Sequence, residues 1–369
     1  MRRTVSAVGN PNRNRPGRPP RRDNFVETER LEHMKIGVIG AGSWGTVLAT
    51  LLSKKGNQVT LWAREPEVVS GIRNRRRNPF FMSDLELPPE LGVSNDAADV
   101  AAGADALLFA VPSAHLRGLA HGLREHLPRI SGVINAAKGF EPGTGKRLSE
   151  ILVEESGVEP GSAGDRIAVL SGPNLAGELA EGKIGASVIA CPDETWSRTA
   201  QELLSNDHFR VYRHTDRTGV ELGGTLKNVF AIGAGIVDGL GLGDNAKAAY
   251  LTRALHELVR LGSRLGGRPT TFYGLSGLGD LMATCSSPLS RNHQLGQALA
   301  RGKTLDELTH GSRMVIEGVE TARMAASWGK KLTIPLPITE EICRVLFDSL
   351  SPREAAKNLM TRSLKDEEA

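Results

Sequence analysis

Cysteine is scarce in this chain, and the cysteines present do not form a pattern. Cys191, Cys285 and Cys343 are odd in number and show no CxxC spacing. That argues against a disulfide framework and a zinc site, and reduced cytosolic thiols are the expectation. Long apolar runs are also missing. None approaches the roughly 20 residues of a membrane span, and no signal-peptide core precedes the first apolar strand. The body of the chain has no excess of one charge. The net charge of +4 is matched by the leader, residues 1–33, where eight arginines face Asp23, Glu27, Glu29 and Glu32. This leader is rich in proline and poor in apolar residues, so it cannot offset its ordering entropy by burial, and disorder is expected. Charge runs are usually solvated, so no nucleic-acid partner is expected. Met34, directly before the first strand, is a possible alternative start.

The remaining composition is that of a soluble globular protein, with 40% hydrophobic and 24% charged residues. A length of 369 residues suggests more than one core. Short apolar runs at 35–40, 58–63, 105–111, 130–136, 167–171, 185–191 and 209–212 predict strands. Helical stretches such as 44–55, 66–73 and 115–127 lie between them. This alternation predicts an α/β fold, a Rossmann-like, doubly wound and mostly parallel sheet over residues 34–215. Beyond residue 215 the pattern turns helical, and residues 216–369 are expected to form an all-α domain at the substrate end. Within 244–266, Leu251, Leu255, Leu258 and Leu261 recur at helical spacing, with Asp244 or Asn245 as the expected N-cap and Gly266-Gly267 as the stop.

After the first strand comes Gly40-Ala41-Gly42-Ser43-Trp44-Gly45, leading into an apolar helix. Gly40 allows the tight turn, Gly42 lets backbone approach a pyrophosphate, and Gly45 lets helix and strand pack closely. A dinucleotide is therefore the expected cofactor. Arg64 ends the second strand, where an acid would bind ribose hydroxyls and an arginine favours a 2′-phosphate. This points to NADP ahead of NAD, although Glu65 is also in reach of the ribose. Ala110-Val-Pro112-Ser113 ends the strand 105–111, on the nicotinamide side of such a sheet.

Lysines carry the rest of the chemistry. Lys138 follows an apolar strand and points into the crevice of an open sheet, and Ser171-Gly172-Pro-Asn174 ends the next strand. Lys227 sits in an apolar segment with Gly223, Gly224, Gly233 and Gly235. Each glycine costs about 1 kcal/mol against alanine in a helix, so close packing is the expected reason for them. An ammonium there suits proton donation to a carbonyl oxygen, helped by desolvation and a neighbouring cation. Asp280 is placed to hold a lysine or a substrate hydroxyl. Ser290 is a natural N-cap, with Arg291, Asn292 and free N–H groups offered to an anion. No metal site is expected.

These segments, in this order, resemble the bacterial NAD(P)-dependent glycerol-3-phosphate dehydrogenase family. The matching pieces are GAGSWGT, LWAR, AVPS, AAKG, SGPN, FRVY, GVELGGTLKNV, AGIVDGLGLGDNAKAA, GLSGLGDLMATC, SRN and VIEGVET. The resemblance implies reversible reduction of dihydroxyacetone phosphate to sn-glycerol 3-phosphate, in the cytoplasm, for phospholipid synthesis, by a homodimer. It implies Lys227 as proton donor. Lys138, Gly172, Asn174, Asp280, Ser290, Arg291 and Asn292 are then substrate-lining, and Ser43, Trp44, Arg64, Lys138, Ala176, Arg291, Val315 and Glu317 touch the cofactor. The chain departs from the pattern in several places. Asn174 stands where serine or threonine is common, and Leu175 where an aromatic is common. Ile184-Gly-Ala-Ser replaces Pro-Thr-Ala, and residues 74–90 fit only loosely. Two other readings share parts of this pattern: a β-hydroxyacid or ketoacid dehydrogenase, and a catalytically silent NADP-binding sensor.

Overall fold

Among the described residues eight strands form one sheet: β1 (Lys35–Ile39), β2 (Gln58–Trp62), β3 (Gly92–Ser94), β4 (Ala106–Phe109), β5 (Gly132–Asn135), β6 (Ile167–Ser171), β7 (Gly185–Ala190) and β8 (Phe209–His214). The computed structural model describes Met1 and residues 33–162, 164–309, 315–364, 366 and 367. Residues 2–32 of the leader, and with them the expectation of disorder there, lie outside the described residues. Strand order is β3-β2-β1-β4-β5-β6-β7-β8. All neighbouring pairs are parallel except β6 with β7, which run antiparallel.

The central strands read as continuous apolar runs because helices cover both faces. Along β4, Ala106 and Leu108 enter one core, while Leu107 and Phe109 enter the other. That is the period-two alternation of a strand. The apolar pattern misses β3. It is only Gly-Val-Ser and half-buried, too short to show a period. The three cysteines are unpaired. Burial pushes the thiols of Cys191 and Cys285 up to about 12, so neither is poised as a nucleophile.

After β8 the elements are helical. The helix Arg217–Gly239 is buried along its whole middle, from Gly219 to Val237. Its length and apolarity would suit a membrane span, but its apolar stretch lies entirely inside the protein. Asp216 caps its start, accepting from Gly219 N at 2.8 Å, and also receives Arg268 N and Thr271 Oγ1. Gly235 lets it meet the helix Arg291–Ala300 closely, since a methyl there would lie 2.0 Å from the His293 carbonyl oxygen. The helix Asp244–Arg264 differs from expectation at its start. Gly243, at φ +85°, occupies the N-cap and Asp244 is already helical. Leu258 and Leu261 are buried there, whereas Leu251 and Leu255 are only partly covered.

The long helix is fastened to the sheet at its first turn. Arg217 donates to both oxygens of Asp165, at 2.6 and 2.8 Å, and to Ile167 O at the start of β6. Asp165 is fully buried and the Arg217 side chain is 13% exposed. Removing one partner of such a pair strands the other charge, at a cost of about 3–5 kcal/mol. Asp165→Asn is therefore expected to lower stability by about 3 kcal/mol or more in urea unfolding. An unchanged midpoint would show that this pair does not anchor the helix.

Candidate active site

The carboxyl ends of β1, β4, β5 and β6 open onto one crevice. β1 has β2 on one side and β4 on the other, so the chain reverses its winding direction there, as ligand-binding α/β sheets do. The glycine loop fills this corner. Gly40 is at φ +117°, and a methyl on Gly45 would lie 1.9 Å from the Gly40 oxygen, so neither position accepts a side chain. A methyl on Gly42 would meet nothing within 4 Å, leaving its backbone open to an approaching group. The helix Ser43–Lys54 starts there with no side-chain cap. Its free first-turn N–H groups and partial positive charge fit a pyrophosphate. Trp44 packs edge-on against Phe209, ring centroids 6.3 Å apart, and its buried indole N–H has no partner. Arg64 lies beyond β2, 67% exposed and paired with Glu65 at 2.7 Å. Such a surface pair is worth little and leaves the guanidinium available to a ligand phosphate.

Deeper in the crevice, three segments distant in sequence meet on one carboxylate. Lys138, beyond β5, donates to Asp280 Oδ2 at 2.7 Å, Asn174 Oδ1 at 2.9 Å and Gly172 O at 3.1 Å. Lys227 donates to Asp280 Oδ1 at 2.9 Å and to the Thr284 hydroxyl. Side-chain exposures are 15% for Lys138, 8% for Lys227 and 3% for Asp280. Burial drives the Lys138 ammonium down to about 8, opposed by Asp280 and reinforced by the Lys227 charge. Burial pushes the Asp280 carboxyl up, but the two ammoniums outweigh it and hold its pKa below the ordinary value.

The glycines before Lys227 explain how the helix comes this close. A methyl on Gly224 would lie 2.1 Å from Ser171 Oγ and 3.5 Å from Lys138 Cδ, and one on Gly223 would lie 2.7 Å from Ser276 O. Thr284 was absent from the sequence-based set of site residues. Its signal is the i,i+4 spacing from Asp280 on the helix Asp280–Ser286, where it donates back to Asp280 Oδ1 at 3.1 Å.

The anion end is built on the helix Arg291–Ala300. Ser290 caps it, accepting from His293 N at 3.3 Å. Asn292 is not presented free as expected. Its Nδ2 donates to Asn228 Oδ1 at 2.9 Å, and its Oδ1 accepts from Gly318 N at 3.0 Å. Asn228 adjoins Lys227, so the two ends of the crevice are joined through it. Arg291 is exposed and spends one donor on Val315 O at 2.6 Å, leaving the rest of its fork available. Glu317 accepts from Ser113 N at 3.0 Å and Ser113 Oγ at 2.6 Å, and burial raises its pKa. A methyl on Gly139 would lie 2.7 Å from Glu317 Oε2, which puts Glu317 beside the Lys138 segment. Ala176 opens the short helix Ala176–Ala180 and packs at the margin of the same core as Trp44. Asn228, like Thr284, belongs to this cluster without having been singled out by the sequence, whereas Ser113 closes the Ala110–Ser113 turn already placed on this side of the sheet.

The family described as NAD-dependent glycerol-3-phosphate dehydrogenase N-terminus matches residues 35–197, and the corresponding C-terminus family matches residues 216–357. A glycerol-3-phosphate dehydrogenase (NAD(P)+) of Syntrophotalea carbinolica is 46% identical over 334 residues, covering 90% of this chain and 99% of that protein. One from Streptomyces coelicolor is 42% identical over 337 residues, covering 90% and 98%. The crystal structure of glycerol-3-phosphate dehydrogenase from Coxiella burnetii superposes with a TM-score of 0.84 at 35% identity, covering 89% of this chain and 99% of that one. This chain belongs to the NAD-dependent glycerol-3-phosphate dehydrogenase family.

Proposed function

We propose that the chain catalyses the reversible NAD(P)H-dependent reduction of dihydroxyacetone phosphate to sn-glycerol 3-phosphate. The observation that carries this reading is the single buried carboxylate of Asp280 shared by Lys138 and Lys227. Residues 34–215 hold the dinucleotide, and residues 216–369 hold the substrate and a homodimer contact. The enzyme works in the cytoplasm and supplies glycerophospholipid synthesis. Arg64, at the end of β2, favours NADPH over NADH. The silent-sensor reading would leave two lysines and an aspartate buried together without a use.

The bound nicotinamide supplies the hydride. Arg291 and the capped helix start at Ser290 hold the substrate phosphate, and Asn292 braces that helix start against Asn228 and Gly318. Lys138, fixed by Gly172, Asn174 and Asp280, sets a positive charge beside the substrate oxygens. Lys227 Nζ gives its proton to the carbonyl oxygen in reduction and takes one back in the reverse direction. Asp280 keeps its charge throughout and orients both ammoniums.

The decisive assay follows NADPH oxidation by dihydroxyacetone phosphate. Lys227→Ala is expected to lower kcat by about 10²–10⁴-fold, the usual worth of a positioned proton donor. Absence of turnover by folded wild type, or full activity in the variant, would refute the assignment. A second expectation concerns pH. Lys138 must be charged to attract an anionic substrate, and its pKa in the free protein is about 8. The charged form prevails below that value and is lost above it, so kcat/KM is expected to fall as pH rises past about 8. In Lys138→Arg the charge persists, and this fall should disappear even if overall activity is lower. The same fall in both proteins would assign it to another group.

A further inference from the structure

The segment from Arg76 to Leu91 has no part in the chemistry above, yet it is closely tied down. Leu87 N donates to Arg76 O at 2.9 Å, and the Arg76 guanidinium reaches the carbonyls of Pro88 and Leu91. Pro79 lies on the helix Pro66–Arg75, since a methyl on Gly71 would lie 2.7 Å from Pro79 Cδ. At the inner edge of this segment is Asn78, with no exposed surface.

Asn78 uses its amide completely. Nδ2 donates to Ala41 O at 2.8 Å and to Thr46 Oγ1 at 3.0 Å. Oδ1 accepts from Phe80 N at 3.2 Å and Phe81 N at 3.1 Å. A primary amide has two donor hydrogens and two acceptor sites, so none is left over. The Thr46 hydroxyl also donates to Ala41 O, at 3.3 Å, so that carbonyl is held from two directions. The Ala41 carbonyl and the Gly42 N–H belong to one planar trans peptide and point in opposite directions. Pulling the carbonyl inward therefore turns the Gly42 N–H outward, on the side where Gly42 is open.

We infer that Asn78 is a positioning residue for the dinucleotide: it sets the orientation of the Ala41–Gly42 peptide and so the affinity for the pyrophosphate. This rests on the proposed reading of the glycine loop. Asn78 acts through the backbone and touches no reacting atom. Its loss should weaken dinucleotide binding and leave the substrate end unchanged.

Two substitutions separate this role from a merely structural one. Asn78→Asp keeps the acceptors for Phe80 and Phe81 but loses the donors to Ala41 and Thr46. Asn78→Ala loses both sets without adding charge. The full chain would be titrated with NADPH, following nucleotide fluorescence, and assayed with dihydroxyacetone phosphate. Both variants are expected to raise the Kd for NADPH tenfold or more. The KM for dihydroxyacetone phosphate and kcat at saturating NADPH should stay within about threefold of wild type, since Asn78 lies outside the lysine cluster. Should Asn78→Ala fail to fold, Asn78→Asp alone decides. An NADPH Kd for Asn78→Asp within twofold of wild type overturns the inference. So does weakening in Asn78→Asp beside a folded Asn78→Ala that binds normally, because charge and not the lost donors would then be the cause. A parallel loss of kcat and both KM values would also overturn it. Wild type that binds no NADPH would overturn the functional reading and the inference together.

Discussion

The architecture of the crevice follows from one constraint: two ammonium groups, buried side by side, need a shared counter-charge. Asp280 supplies it, offering one oxygen to Lys138 and the other to Lys227. Burial alone favours the neutral form of Lys138, and the Asp280 charge opposes it. Burial likewise favours the neutral form of Asp280, and the two ammoniums oppose it. The arrangement therefore requires the sheet, the long helix and the helix Asp280–Ser286 to close on one point. The features that permit this closure are visible: Gly223 and Gly224 thin the helix where Ser276 and Ser171 approach, and the Asp165–Arg217 pair fixes its first turn against β6.

The protein divides its work between backbone and side chains. Around the cofactor corner the groups offered are mainly N–H donors of a glycine loop and a helix start, which suit a pyrophosphate of diffuse charge. Around Asp280 they are the side-chain amino groups of Lys138 and Lys227, which release a proton as ammoniums and accept one as neutral amines. Asn228, Asn292 and Gly318 join this centre to the anion end through two hydrogen bonds. The spacing between Asn292 and Lys227 is thereby set by the packing of helices rather than by a loop.

Much of this was legible in the sequence because the signals are local. The glycine loop sits between an apolar strand and an apolar helix, and Lys227 lies in a glycine-rich segment, so each stands out in a short window. The strands β1, β2 and β4 to β7 are likewise short and mostly apolar, and β8 alternates buried Phe209 and Val211 with exposed residues. What escaped depends on contacts across long separations. Strand β3 is three half-buried residues held by pairing with β2. The antiparallel turn of β7 leaves no mark in composition. Gly243 replaced Asp244 as N-cap because a positive φ there suits glycine, a choice that propensity for acidic caps obscures. Asn292 looked free to bind an anion because Asn228, 64 residues earlier, could not be seen as its partner.

If the Asp280 carboxylate is what makes both lysines usable, Asp280→Asn is the substitution that shows it. The asparagine keeps size and hydrogen-bonding reach but withdraws the counter-charge. Steady-state kinetics with NADPH and dihydroxyacetone phosphate, on protein shown to be folded, should give a kcat lowered by about 100-fold or more, as for a misplaced proton donor. A kcat within twofold of wild type would contradict the account, because the lysines would then do their work without the charge said to hold them.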